Sequence, residues 1–137
     1  MTKATKIALA AAAALGLATT PAAYAKPKMT GQEQLAKMLD GRVAGKPQSC
    51  IFTPGTGGNN MTIIDNTALV FRSGGTLWVN KTADPKSIND NDIIVFERFS
   101  GSQLCRTDMV HTVDRMSPHM LTGVVFLSDF VPYRKPG

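Results

Sequence analysis

The sequence predicts a mainly β fold: one N-terminal amphipathic helix, then a six- to seven-stranded antiparallel sheet curled into a small barrel or sandwich. Three observations lead there. From Gln48 onward, short apolar runs alternate with turn-forming clusters of Gly, Pro, Asn and Asp. One stretch alone, Leu35 to Val43, spaces its apolar residues as a helix does. The first twenty-five residues form an apolar leader that stands outside the folded domain.

That leader has the order of parts that export requires. Lys3 and Lys6 give a positive start, an uncharged and mostly apolar run follows from Ile7 to Ala18, and Pro21 precedes the small-residue end Ala23-Tyr24-Ala25. A secretory signal peptide needs charge, then apolar bulk, then an A-x-A cleavage site. The 137 residues therefore divide into a signal peptide over 1–25 and a single β-rich domain over 26–137. The apolar run is about twelve residues long, whereas a membrane span needs ~20. No membrane span is expected after cleavage, and with Cys50 far downstream no lipid-modified cysteine follows the leader. The destination is the periplasm or the outside of the cell.

Cleavage takes away Lys3 and Lys6 and no acid, so the formal charge falls from +5 to +3. The remaining basic residues are scattered, and none forms the run of five or six that marks a nucleic-acid arm. Trp78 and Tyr133 are the large amphipathic rings left in the domain, too few for a stacking platform. Nucleic acid is not an expected partner.

Thr30-Gly31-Gln32-Glu33 fits a capping box, with Thr30 closing the helix start and Glu33 reaching back. Leu35, Met38, Leu39 and Val43 then share one helical face, and Gly41, Gly45 and Pro47 stop the element. The predicted helix runs over about 31–42. Ser49 to Phe52 is the first strand, followed by the glycine-rich loop Pro54 to Asn60. Met61 to Ile64, Thr67 to Arg72 and Thr76 to Asn80 read as a meander joined by Asp65-Asn66 and Ser73-Gly74-Gly75 turns. Thr82 to Asp92, polar and containing Pro85, reads as a surface loop. Ile93-Ile94-Val95-Phe96 is apolar on both faces and predicts a central strand. Leu104 to Arg106 follows the Ser100-Gly101-Ser102 turn, and Met109 to Val113 extends or restarts that strand. Val124 to Leu127 reads as a buried strand, and Val131 to Tyr133, interrupted by Pro132, as an edge.

Two cysteines in an exported chain usually pair. A Cys50–Cys105 bridge would close a loop of about fifty-five residues, which chain entropy values at roughly 4 kcal/mol. Two separate buried thiols are the alternative. A catalytic thiol is disfavoured, since there is no Cys-x-x-Cys and no base nearby in sequence.

The motifs that carry chemistry fail on their details. The glycines of 55–58 run into Asn59-Asn60 and a strand, with no Gly-Lys-Ser/Thr opening a helix as phosphate binding requires. Ile63-Ile64-Asp65-Asn66-Thr67 lacks the Asp-Thr/Ser-Gly of an aspartic protease. Asn89 to Asp92 lacks the glycine and distal glutamate of a calcium loop. His111 and His119 stand eight apart and supply no metal pair. On a strand His111 shares a face with Met109 and Val113 and reads as a packing residue. No Gly-x-Ser-x-Gly elbow occurs. Neither a cofactor, a metal nor a catalytic set is expected.

Three strings stand together: Gly41 to Pro47 running into Cys50-Ile51, Gly101 to Arg106, and Asp129-Phe130-Val131-Pro132-Tyr133. Over roughly Leu35 to Lys135 they resemble a family of small exported proteins of Gram-negative bacteria, a domain of unknown function. The resemblance implies an envelope protein with two matched cysteines, and it supplies no catalytic residues.

The leading expectation is a non-enzymatic β domain that binds an envelope protein or small ligand. Its predicted contact surface is the glycine-rich loop with Trp78, Arg98 and Arg106. One alternative is an inhibitor of a secreted hydrolase, like the lysozyme inhibitors, with Ser100-Gly101-Ser102 as the inhibitory loop. The other is a hydrolase built on His111 with Asp108 or Asp114.

Overall fold

The computed structural model describes residues 23–53, 60–99 and 101–137. Most of the leader (1–22), the glycine-rich loop over 54–59 and Ser100 lie outside the described residues.

Helix α1 spans Gly31–Leu39 and opens on the expected capping box. The Thr30 N–H donates to Glu33 Oε2 (2.8 Å), and the Glu33 N–H donates back to Thr30 Oγ1 (3.3 Å). The helix ends three residues before the predicted Arg42. Asp40 turns extended, and Gly41 takes φ +69°, a left-handed value that glycine adopts without strain. Arg42 is then drawn to the sheet, where Nη1 donates to the Gly75 carbonyl at 2.8 Å.

Among the described residues ten strands follow, more than the six or seven expected: β1 (Val43–Ala44), β2 (Cys50–Phe52), β3 (Met61–Ile64), β4 (Ala68–Ser73), β5 (Thr76–Asn80), β6 (Asp92–Glu97), β7 (Gln103–Cys105), β8 (Met109–Asp114), β9 (Leu121–Val125) and β10 (Val131–Arg134). All pairings are antiparallel. They form a five-stranded sheet in the order β1-β10-β5-β4-β3, a two-stranded ribbon β2-β7, and a three-stranded sheet β6-β8-β9. Among the described residues no sheet closes into a barrel. Among the additions are β1, a two-residue strand set by its partner, and β8, a strand in its own right.

The five-stranded sheet is covered on both faces. Ile64, Ala68, Val70, Leu77 and Val79 point to one side and pack on Leu35, Met38 and Leu39 of α1. From the other side Leu69, Phe71, Trp78 and Phe130 pack on Val110, Val125, Ile94 and Phe96 of the three-stranded sheet, and on Ile51 and Leu104 of the ribbon. Strand β4 alternates between the two cores, which is why four consecutive residues, Ala68 to Phe71, are buried.

Two strands sit where the sequence did not place them. The Val131–Tyr133 segment, expected at an edge, lies between β1 and β5. Pro132 accepts from the Gly45 N–H (2.7 Å) but has no N–H to return, so the β1 ladder stops after two residues and tolerates it. Ile93–Phe96, expected to be central, belongs to the edge strand β6, whose outward side chains are exposed.

The loop predicted over Thr82 to Asp92 folds inward in part. It contains a single 3-10 turn, Pro85–Ser87, and buries Ile88 in the core. Its start is held by Asn80, fully buried at the end of β5. The Asn80 Oδ1 accepts from the N–H groups of Thr82 (2.9 Å) and Ser128 (3.0 Å), while Nδ2 donates to the Ser128 carbonyl (2.7 Å). That clasp ties two distant chain segments together beside the core.

Candidate functional site

The expected disulfide is present. Cys50 and Cys105 are directly opposed in the β2–β7 register and bridged. Among the described residues no helix is long and apolar enough to cross a membrane.

The feature that stands out chemically is the outer face of the three-stranded sheet. Antiparallel register places its outward side chains in three rows of three. Ile93, Val113 and Leu121 form one row. Val95, His111 and Val124 form the next. Glu97 and Met109 form the third, completed by Phe126, which continues the in–out alternation one residue past β9. Strands ~4.8 Å apart bring every neighbour in this array into side-chain contact range. Six of the seven apolar members are exposed, from 38% at Val124 to 70% at Phe126. The inward residues of the same strands, Ile94, Phe96, Val110 and Val125, form core. Both faces of this sheet are thus apolar, and the described residues cover only one.

His111 is the centre of the array. Its Nε2 lies 3.3 Å from Glu97 Oε1, a diagonal contact created because Val95 is the residue directly opposite His111. The His111 Nδ1 is buried without a hydrogen-bond partner among the described residues. The two carboxylates considered as catalytic partners are committed elsewhere. Asp108 accepts from the Cys105 N–H (2.8 Å) and the Phe99 N–H (3.3 Å), fastening the turn after β7. Asp114 accepts from the N–H groups of Met116 and Ser117, each at 2.8 Å, and shapes the β8–β9 turn. Nucleophilic chemistry needs a hydroxyl or thiol hydrogen-bonded to the base. Among the described residues no such bond to His111 exists.

The other predicted surface residues do not share one spot. Trp78, in β5, is partly buried against the core side of the five-stranded sheet, with the Arg134 guanidinium 6.0 Å from its ring centroid. Arg98 donates through Nη1 to the Thr53 carbonyl (3.0 Å), at the end of the ribbon where the Thr53 N–H also meets Ser102. Arg106 sits at the opposite end, its N–H bonded to the Ser49 carbonyl and its guanidinium paired with Asp129 at 3.0 Å. Gly101 and Ser102 form a turn leading into β7.

A cleft of about 260 Å³ lies where α1 meets the β3–β4 turn, lined by Lys28, Thr30, Gly31, Asp65, Thr67 and Asp90 among others. Two of its polar side chains are engaged within the fold: Thr30 caps the helix with Glu33, and Lys28 pairs with Asp90 at 3.6 Å. Among the described residues no group of three or more His, Cys, Asp or Glu side chains is placed to hold a metal ion.

No protein-family model, curated protein or solved structure matches the chain significantly.

What the sequence reading missed was Glu97 and the outward triplet Val95, Val124 and Phe126. The signal was present in two places: β6 is apolar at inward and outward positions alike, and Val124 and Phe126 flank the inward Val125 with bulky apolar side chains. Only the register joins them into one surface.

Proposed function

We propose that this chain is an exported, disulfide-stapled β domain of the bacterial envelope, periplasmic or secreted, that works by binding a protein partner. The observation that carries the reading is the outer face of β6-β8-β9, where seven of nine side chains are apolar and six of those lie open to solvent. A contiguous apolar patch at the upper end of what monomers expose is often a functional contact surface. Methionine at position 109 and the further exposed Met116 and Met120 on the adjoining turn add side chains that adapt to a partner's shape. Export rests on the leader pattern and on the bridge, which needs an oxidising compartment to persist. The resemblance to small envelope proteins of Gram-negative bacteria belongs to the same reading.

The test expresses the chain with its own leader, fractionates the cell and weighs the intact protein. A periplasmic or secreted product starting at Lys26 and lacking two thiol hydrogens is expected; a cytosolic chain with free thiols contradicts export. Partner capture from the envelope is then compared for wild type and Leu121→Glu. The captured set is expected to be lost with the charged variant. A Trp78→Ala, Arg106→Ala bait serves as the comparison for the other predicted surface. Loss with that bait and none with Leu121→Glu would move the site to the ribbon and β5.

A further inference from the structure

We propose that the outer face of β6-β8-β9 closes on the same face of a second copy of this chain, forming a two-fold symmetric dimer by sheet-on-sheet packing. The inference rests on reading this face as a binding surface, and it names the occupant. Three properties of the face select a second copy.

The first is area. The exposures of the array leave on the order of 600 Å² of contiguous apolar side-chain surface, at the upper limit found on ordinary monomers (roughly 300–600 Å²). A specific interface buries about 800 Å² on each partner, with an apolar centre and a polar rim. The array supplies that centre. Glu97, exposed at its corner, supplies polar rim.

Charge is the second. The nine positions contain no lysine or arginine, and the one acid, Glu97, faces His111 at 3.3 Å. An anionic lipid surface would find no basic side chain on this face to attract it. An acidic or basic partner would find no complement either. Two copies of the face, by contrast, meet without like-charge repulsion, and an apolar patch is its own complement under a two-fold axis.

Shape is the third. The face is a three-stranded sheet with a single irregularity, the bulge at Thr112/Val113 beside Gly123. Sheets of this kind pack face to face about 10 Å apart, with strands aligned to within about 30°. That arrangement repeats on the outside what the inner face of the same sheet already does against Phe71 and Leu69.

The test is the oligomeric state of the purified, disulfide-bonded chain, by sedimentation equilibrium over ~1–100 μM protomer. The expected result is twice the chain mass at the upper end. Val124→Glu and Phe126→Ser, both at exposed positions on the face, are each expected to weaken association by roughly a hundredfold or more, since each change enters a two-fold interface twice. Val43→Glu, exposed on β1 in the other sheet, is expected to leave the dimer intact. Circular dichroism checks that each variant keeps its fold. A wild-type chain that stays monomeric throughout overturns the proposal, as does a dimer that survives in both folded face variants. The monomer result combined with Leu121→Glu-sensitive capture of another envelope protein would remove the second copy and leave the binding reading standing. Monomer together with capture that ignores the face would remove both.

Discussion

Removing the bridge by Cys50→Ser with Cys105→Ser is expected to cost about 4 kcal/mol. The two residues are 55 apart in sequence, and opening a loop of that length returns roughly 4 kcal/mol of conformational entropy to the unfolded chain. The structure adds a reason to expect no less. The ribbon it staples has only three residues in each strand, Cys50–Phe52 and Gln103–Cys105. A ladder that short is marginal by itself. Its middle pair, Ile51 and Leu104, is buried in the core beneath the five-stranded sheet, so fraying would also expose apolar surface. Against the ~5–15 kcal/mol that holds a typical small domain, this is a large share. The assay is urea unfolding followed by the fluorescence of Trp78, the single tryptophan, which packs on that same core. With a slope of ~1–3 kcal/mol per molar urea, the midpoint should fall by roughly 1.3–4 M. Reduced wild type should reproduce the variant. A loss below ~1 kcal/mol at unchanged slope would refute the reasoning, because the ribbon would then be held by packing alone and the bridge would be incidental.

Three further outcomes are expected. Asn80→Ala strands the N–H groups of Thr82 and Ser128 and the Ser128 carbonyl beside the core, and should destabilise by about 3 kcal/mol or more in the same urea assay; a loss under ~1 kcal/mol would mean that water or relaxation replaces the clasp. Gly31→Ala should destabilise by ~1–3 kcal/mol although alanine favours helices, because a Cβ there collides with Thr67 Oγ1 and the Asp65 carbonyl; an unchanged or raised midpoint would show that the helix start can shift away from the β3–β4 turn. Glu33 is held below the usual glutamate range by hydrogen bonds from the Thr30 backbone and side chain. Its lowered folded value means that the cap's contribution is full above the ordinary glutamate range and is lost as pH falls through that lowered value. The protection of amides 31–34, taken as the ratio of intrinsic to observed exchange rate at each pH, should therefore fall on acidification in wild type and not in Glu33→Gln, which keeps a neutral capping partner; identical protection profiles would assign the effect elsewhere.

Elements fixed by neighbours in sequence were legible, and elements fixed by distant partners were not. Thr30 and Glu33 stand three apart, so the start of α1 could be read directly, and it forms as read. Its end could not, because Arg42 leaves the helix for the carbonyl of Gly75, 33 residues away. The turns at Asn66 and Gly74 carry positive φ and announce themselves by residue type. Pro132 announces an edge by the same logic, yet lies inside the sheet because the strand beyond it is only two residues long. The site follows this pattern. That His111 shares a face with Met109 and Val113 is a matter of alternation along one strand. That Glu97 reaches it depends on the β6–β8 register, which local sequence does not encode.

The most instructive difference is β6. Four consecutive apolar residues, Ile93 to Phe96, state that both faces of the strand belong out of water. They do not state what covers the second face. Reading them as a central strand supplied that cover from the chain itself, and the fold instead leaves β6 at an edge with Ile93 and Val95 open. A polar residue at either position would cost the isolated domain less than one in the core and would lower its exposed apolar area. The same holds at Leu121, Val124 and Phe126, on a strand two places away. Five apolar side chains kept on one solvent-facing surface, drawn from two strands that are not neighbours, are what a buried surface looks like in sequence. In the proposed dimer β6 is buried on both faces after all, with its outer cover supplied by a second chain.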